Sequence, residues 1–243
     1  QTLEEAERFN GVYRETVRYP IRALADSMPK PGAARFIREQ FDCQETARIN
    51  ERADSVSRGL FRLAWFLAAT TRAHRAVFLR RGSEPESYQA GCSVQQRKGG
   101  SRHPIWQNQI SQFFFRLLPP EAADITKAAE LLHEQFVSHT RRRMDLAFDT
   151  MTRLLRLVPT WWYLRMLRAN SGGFITSFFY SYTGIFLPGC EAFAGAPIRN
   201  GWHIPSVCAP PGTGLFFSER NSGLSVTLSW RDGVLTSDEV TVL

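Results

Sequence analysis

Hydrophobic positions predict the core of a β-sheet in the last third of the chain. Residues 174–186 read FITSFFYSYTGIF, an aromatic and β-branched run punctuated by glycine, which is typical of a strand buried on both faces. Further on, GLFFSERNSGLSVTLSW predicts two strands joined by the polar four-residue loop Arg220–Gly223, and Asp232-Gly233 marks a turn after them. We therefore expect the sheet core between residues 174 and 236.

Apolar periodicity predicts helices ahead of that sheet. Between Ser57 and His74, apolar residues recur every three or four positions, so one continuous stripe can pack against a core. The stripe consists of Leu60, Leu63, Ala64, Leu67, Ala68 and Thr71. Before it, Asp42 and Glu45 have the spacing of a capping box, which predicts a helix that runs to about Ser55.

A second group of helices follows a proline pair. Pro119-Pro120 ends a strand and begins a helix, because proline is tolerated in the first helical turn. The predicted buried face of this helix comprises Ile125, Ala128, Ala129, Leu132 and Phe136. Two more helices are predicted over Arg142–Leu157 and Thr160–Arg168, with Pro159 between them.

Three further strands are predicted, over Ala34–Phe41, Ser87–Gln96 and Gln107–Leu118. The consecutive aromatic residues Phe113–Phe115 should be buried from more than one side. Helices long enough to cover a sheet separate the strands, so the pattern predicts an α/β (α+β) two-layer sandwich, a mixed β-sheet covered by helices. We interpret residues 34–243 as this lobe. Residues 1–33, with a short amphipathic piece and three prolines, are interpreted as a connector.

Composition places the chain in a broad class. Its 243 residues are 43% hydrophobic and 22% charged, which are values of a globular protein with a sizeable core. No run of eighteen apolar residues occurs, so no membrane-spanning helix is predicted. The polar start QTLEEAERFN lacks the pattern of a secretory signal, and we expect a cytoplasmic protein.

Charge and cysteine usage argue against nucleic-acid binding and metal binding. The net charge is +7, but the arginines are dispersed among apolar residues. The basic run Thr140–Arg143 has no interleaved aromatic residues for base stacking, so a nucleic-acid partner is not expected. The cysteines are far apart and form no ligand cluster, which predicts scattered buried thiols, no disulfide and no metal site. They are Cys43, Cys92, Cys190 and Cys208.

The order of these elements resembles the C-terminal half of the chloramphenicol-acetyltransferase-like acyltransferases. This group includes nonribosomal peptide condensation domains and wax ester/diacylglycerol acyltransferases. The matching segments are Asp42–His74, Cys92–Arg97, Asn108–Leu118, Ala122–Arg168, Ser181–Gly184 and Gly214–Trp230. The resemblance implies one lobe of a bilobal fold with an active-site tunnel between the lobes. It also implies an acyl-CoA or acyl-carrier thioester as co-substrate, a hydroxyl or amine acceptor, and no permanently bound cofactor.

The catalytic histidine of that family is missing from this sequence. In the family it lies in a His-His-x-x-x-Asp-Gly motif of the N-terminal half and takes a proton from the acceptor. None of the five histidines here has another histidine beside it or aspartate four residues later. The resemblance therefore implies a C-terminal lobe that forms a tunnel wall, has no catalytic residue of its own, and pairs with an N-terminal lobe. The alternative is a catalytically silent lobe that binds an acyl group, a lipid or another protein.

Candidate substrate-binding residues lie where the aromatic strand ends. They are Ser181, Tyr182, Thr183 and Gly184, which match the family's S-x-x-G pattern. The resemblance implies that a side chain or amide here helps to hold the thioester oxygen or the acceptor; a polar strand end before a glycine turn is the simpler interpretation. Asn108, which would order a loop beside the tunnel or cap a strand, and His203 complete the set. We interpret His203 as a partly buried, hydrogen-bonded histidine, not a replacement base.

An aromatic and basic stretch is a further candidate surface. Trp161, Trp162 and Arg165 could rest on an anionic membrane at its inner face or line an acyl-chain entrance. A packed helix with solvated arginines is the simpler interpretation. At the end of the chain, Ser237-Asp238-Glu239 predicts the start of a final helix, and further residues are expected to follow it.

Overall fold

The computed structural model of the chain describes residues 2–16, 18–25, 32–57, 62–96, 110–162, 165, 175–208 and 210–243. Its helices are α1 (Thr2–Thr16), α2 (Cys43–Ser57), α3 (Arg62–Arg80), α4 (Pro119–Ala123), α5 (Ile125–Arg141), α6 (Met144–Leu155) and α7 (Ser237–Val240). Its strands are β1 (Ala34–Gln40), β2 (Tyr88–Gln95), β3 (Ile110–Leu117), β4 (Phe178–Ile185), β5 (Ala192–Phe193), β6 (Ala196–Pro197), β7 (Thr213–Arg220) and β8 (Gly223–Arg231).

Six strands form one mixed sheet in the order β1-β8-β7-β4-β2-β3, and β5 and β6 form a small separate hairpin. The pairs β1–β8, β8–β7 and β2–β3 are antiparallel, whereas β4 pairs parallel with both β2 and β7. Parallel neighbours need long crossover connections, and the helices between β3 and β4 belong to one of these. The predicted mixed sheet covered by helices is confirmed.

Helix α3 crosses the centre of one sheet face and packs against β4 and α5. The described members of its predicted stripe are buried or half-buried, and the helix continues past His74 to Arg80; residues 58–61, including Leu60, lie outside the described residues. The capping box of α2 is confirmed. The Glu45 amide donates to Asp42 Oδ1 at 2.8 Å, and the Asp42 amide donates to Glu45 Oε2 at 3.0 Å.

The aromatic strand β4 differs from its prediction. Phe178 and Tyr180 are buried among the helices, but Thr183 and Ile185 are exposed, so the expectation of burial on both faces is wrong for the second half. The described part of α3 begins level with Tyr180, whose hydroxyl donates to the Leu63 carbonyl at 2.8 Å. The strand therefore runs out beyond the helix that covers its first half.

The connection between β7 and β8 is shorter than predicted. Arg220 pairs with Gly223, so only Asn221 and Ser222 form the turn, with φ angles of 48° and 61°. Two consecutive left-handed residues match the right-handed twist of a hairpin, which explains why a two-residue turn replaces the expected four-residue loop. The turn at Asp232-Gly233 is confirmed.

An irregular segment, residues 186–208 (the covering segment), lies against the sheet face opposite α3. Four carbonyls accept hydrogen bonds from the Arg220 guanidinium at 2.7–3.4 Å; they belong to Phe186, Leu187, Cys190 and Ile198. Further along, Trp202 stacks under the Arg38 guanidinium at 3.8 Å, and His203 packs edge-on against Phe216. The segment thereby covers part of β1 and β7.

Helix α1 packs on the same body as the sheet. Phe9 contacts Phe148 of α6 at 5.5 Å between ring centroids, and the Thr150 hydroxyl donates to Glu5 at 2.7 Å. On β3, Phe113 and Phe115 face α5, whereas Phe114 faces Phe148. The three aromatic residues are thus packed from two sides, as expected.

The cysteines are free, but the prediction of buried thiols holds for Cys92 alone. Burial raises the pKa of that thiol to about 12. Cys43 and Cys208 are exposed and Cys190 is half-buried, because these three residues lie at a helix start and in the covering segment, outside the packed core.

Candidate functional site

The carboxyl ends of β2, β4 and β7 meet at one edge of the sheet, because these three strands run parallel. Open α/β sheets bind ligands outside this edge. The S-x-x-G stretch ends β4 there, beside the last residues of β7. Functional groups are therefore expected at this edge.

Glu219 of β7 is the centre of a polar cluster at the edge. Its side chain faces α2 and α3, and the residue is only 8% exposed. Tyr182 donates its hydroxyl hydrogen to Glu219 Oε1 at 2.6 Å. The other carboxylate oxygen accepts from Asn50 at 3.3 Å and from Arg62 Nη1 at 3.4 Å. We call these residues, with Asp54, the edge cluster.

Arg62 connects this carboxylate to a second one. Its Nε and Nη2 donate to the two oxygens of Asp54, each at 2.9 Å, the bidentate geometry that suits a guanidinium. These bonds lower the pKa of Asp54 and raise that of Arg62. Burial, together with the bond to Glu219, raises the pKa of Tyr182, so the phenol remains a neutral donor at physiological pH.

A β-bulge shapes the strand end beside the cluster. The pairing register of β4 with β7 shifts between Tyr182 and Ile185, and Gly184 has φ +64°, a conformation that suits glycine. The Thr183 hydroxyl donates to the Phe217 carbonyl at 3.2 Å. Bulges re-aim side chains and are frequent next to active sites, so the bulge makes this strand end a candidate binding region.

None of the described histidines belongs to the edge cluster. His74 is fully buried: its Nδ1 donates to the Thr70 carbonyl at 2.9 Å, and its Nε2 accepts from the Thr213 hydroxyl at 3.2 Å. Burial lowers the pKa of His74 to about 4, so the ring is neutral and structural. His139 donates to the Phe114 carbonyl at 2.8 Å, and burial lowers its pKa as well.

The predicted site residues do not all come together. Tyr182, Thr183 and Gly184 lie at the edge, whereas Ser181 alternates to the opposite sheet face and is half-buried. His203 is in the covering segment; it is half-buried as expected, but its Nδ1 has no hydrogen-bond partner among the described residues. Asn108 lies outside the described residues. No group of acidic, histidine or cysteine side chains in the described part of the chain could hold a metal ion.

Glu219 and its partners on α2 and α3 were missed at the level of sequence. A weak signal for Glu219 existed, because it is the one acidic residue in the strand TGLFFSER and follows a run of apolar residues. Asn50, Asp54 and Arg62 read as ordinary polar positions on helices. Only the packing of α2 and α3 over the end of β7 brings them together.

Comparison with known proteins identifies the fold. No family model matches the chain, and no curated protein matches it in sequence. The trichothecene 15-O-acetyltransferase TRI3 from Fusarium sporotrichioides is similar in structure, with a TM-score of 0.69 and 12% identity over 99% of this chain and 50% of that one. The EpoB cyclization-docking bidomain from Sorangium cellulosum has a TM-score of 0.62 and 16% identity, over 98% of this chain and 46% of that one. The PapA2 acyl transferase has a TM-score of 0.56 and 13% identity, over 97% of this chain and 48% of that one.

The chain thus has the chloramphenicol-acetyltransferase-like fold of acyltransferases and condensation domains, which confirms the resemblance drawn from element order. It spans about half the length of these three proteins. At such low identity the likeness establishes the fold alone. None of the described helices is long and apolar enough to cross a bilayer.

Proposed function

We propose that this chain is the C-terminal lobe of a thioester-dependent acyltransferase. It would form one wall of a substrate tunnel, and a companion N-terminal lobe would supply the histidine base. The observation that carries the proposal is the alignment of 97–99% of this chain with about half of the TRI3 and PapA2 acyltransferase chains. If this chain is one lobe of a two-lobed enzyme, it should align with about half of a complete enzyme of that fold, as it does here.

The sheet face opposite α3 supports the presence of a companion. Phe36 of β1 and two residues of the covering segment, Trp202 and Ile204, expose large apolar side chains on this face. Exposed apolar side chains of this size are typical of surfaces that another protein covers. A companion lobe docked here would bury these side chains and leave the helical face in solvent.

Two described histidines, His74 and His139, are unsuited to act as the base. A general base must reach the proton that it abstracts and must have a pKa near the working pH. His74 is enclosed by protein and its pKa is about 4, while His139 is tied to a carbonyl of β3. The edge cluster would then act in positioning: it fixes the bulged end of β4, where donor or acceptor would lie.

Release of free thiol from acyl-CoA and from acyl-phosphopantetheine carriers tests the proposal. Transfer forms an ester or amide with the acceptor and liberates the thiol, so thiol appearance reports turnover. The chain alone should bind the donor and release no thiol. Addition of a companion segment that contains His-His-x-x-x-Asp-Gly should restore release.

Two results would refute the assignment. Thiol release by the chain alone would show that it holds its own base. Loss of that release in His203→Ala would then identify His203 as the base. Failure to bind any acyl thioester, with or without the companion, would remove the substrate class.

A catalytically silent lobe is the second candidate. It is favoured by one observation: both oxygens of Glu219 and both oxygens of Asp54 are already engaged within the edge cluster. Such a lobe would bind an acyl thioester or a protein and give no thiol release with any companion lobe. The companion experiment therefore separates the two candidates.

A further inference from the structure

The stretch that follows α6 exposes an unusual amount of apolar surface. Leu157 is 83% exposed, Trp161 68% and Trp162 45%. Leu154, in the last turn of α6, is exposed beside them. Single exposed apolar residues are common on proteins, but two tryptophans and two leucines within nine positions make a patch that calls for a partner.

The local fold leaves this patch outside the core. Helix α6 buries its face through Met144 and Ala147, near its start. After α6, Arg156–Val158 form a hydrogen-bonded turn, and Pro159 precedes the helical turn that holds both tryptophans. The apolar side chains therefore face away from the body that α1, α6 and β3 form.

Arginines lie among and beside the apolar residues of the patch in sequence, and the acidic residues of α6 are paired with arginines. Arg153, Arg156 and Arg165 are exposed. The two acidic residues of α6 are each paired with an arginine: Asp145 with Arg143 at 3.5 Å and Asp149 with Arg153 at 2.8 Å. The described surface next to the tryptophans is consequently positive, which complements an anionic partner.

We propose that this surface docks on an anionic lipid bilayer; we call it the docking patch. It comprises Leu154, Leu157, Trp161 and Trp162 with Arg153, Arg156 and Arg165. Tryptophan is enriched at the membrane–water interface because its ring is apolar and its N–H is polar. Arginine keeps its head among the phosphates while its stem covers apolar surface. The contact is peripheral and independent of the acyltransferase assignment.

Co-sedimentation with vesicles tests this inference. The purified chain is mixed with vesicles of phosphatidylcholine alone and of phosphatidylcholine with phosphatidylglycerol. It should bind the anionic vesicles more tightly, and raised salt should weaken binding. Trp161→Ser/Trp162→Ser should lower partitioning at least tenfold on anionic vesicles. Arg156→Gln/Arg165→Gln should lower partitioning about twenty-five-fold, which is about fivefold for each arginine.

A matched control uses an equally exposed residue elsewhere. Phe193, in the β5–β6 hairpin, is 77% exposed, and Phe193→Ser should leave vesicle binding unchanged. Far- and near-ultraviolet circular dichroism shows that each variant is folded. Equal binding by Trp161→Ser/Trp162→Ser and the parent, or no preference for anionic vesicles, overturns the proposal. Self-association through the docking patch without any vesicle binding also overturns it.

Discussion

Among single residues, Glu219 connects the most groups at the sheet edge. Its carboxylate accepts from Tyr182, Asn50 and Arg62, groups that arrive from a strand and two helices. A hydrogen bond between a neutral donor and a buried carboxylate is stronger than one between neutral groups. The Tyr182 contact, at 2.6 Å, should therefore contribute most to holding the bulged strand end.

A double-mutant cycle on this contact gives a first prediction. Tyr182→Phe should lower the free energy of unfolding by about 2 kcal/mol, because it removes a donor to a charged group. Glu219→Gln should cost a similar amount, and the double variant should show a coupling of about 1 kcal/mol. Urea unfolding followed by circular dichroism measures all three.

Tyr180→Phe is the matched control for this cycle. Its hydroxyl donates to the Leu63 carbonyl and not to the edge cluster. Its effect should therefore add to that of Glu219→Gln. Additive behaviour of Tyr182→Phe would contradict the assigned contact.

On the scale of elements, strand β7 shows how tightly the sheet is packed. On the face opposite α3, the Phe216 ring folds back over Gly214, and a Cβ atom at position 214 would lie 2.7 Å from the ring. The same Cβ atom would lie 3.0 Å from Phe179 Cβ of the neighbouring strand. Position 214 must therefore lack a side chain.

Gly214→Ala should accordingly lower the free energy of unfolding by about 2 kcal/mol, because the inserted methyl group overpacks the sheet. Gly11→Ala is the matched control: a Cβ atom at this helical position meets nothing within 4 Å. That variant should be stabilised by about 0.5 kcal/mol, since alanine favours helix. Urea midpoints compare the two, and equal effects would rule out the steric explanation.

Sequence patterning predicted the elements better than it predicted their contacts. The α2 cap and the α3 stripe depend on residues a few positions apart, so local spacing was sufficient to find them. The sequence predicted a four-residue loop where the structure has the two-residue turn Asn221-Ser222, because strand register is set by pairing and not by polarity. Tyr182 was found as a site candidate, but Glu219 lies 37 residues away, and no local pattern links them.

Across the whole molecule, Arg81 ties together regions distant in sequence. Its guanidinium donates to Glu239 at 2.6 and 2.8 Å, and to the carbonyls of Leu24 and Val234, each at 2.6 Å. Glu239 also completes a capping box with Thr236 at the start of α7. One arginine thus joins residues 18–25, the end of α3 and the C-terminal turn.

This junction should make stability depend on acid pH. The bonds from Arg81 lower the pKa of Glu239 from its usual 4.5 to about 2. Its stabilising contribution is therefore complete above pH 4.5 and is lost as the pH falls toward 2. Glu239→Gln should cost about 2 kcal/mol at neutral pH and flatten the decline in stability between pH 4.5 and pH 2.

Unfolding free energies across that pH range test the junction. Asp238→Asn, which changes an exposed neighbouring carboxylate, serves as control and should retain the slope of the parent. An unchanged slope in Glu239→Gln would show that the ion pair does not titrate as described.

The end of β7 has a consequence for communication between the two sheet faces. Glu219 and Arg220 are consecutive, so one enters the edge cluster while the other holds the covering segment through four carbonyls. Because one peptide unit joins these two residues, we expect a rotation of the strand end to affect both faces. Displacement of residues 186–198 should then disturb the contact between Tyr182 and Glu219. Amide exchange across residues 186–198 should accordingly be faster in Glu219→Gln than in Tyr180→Phe.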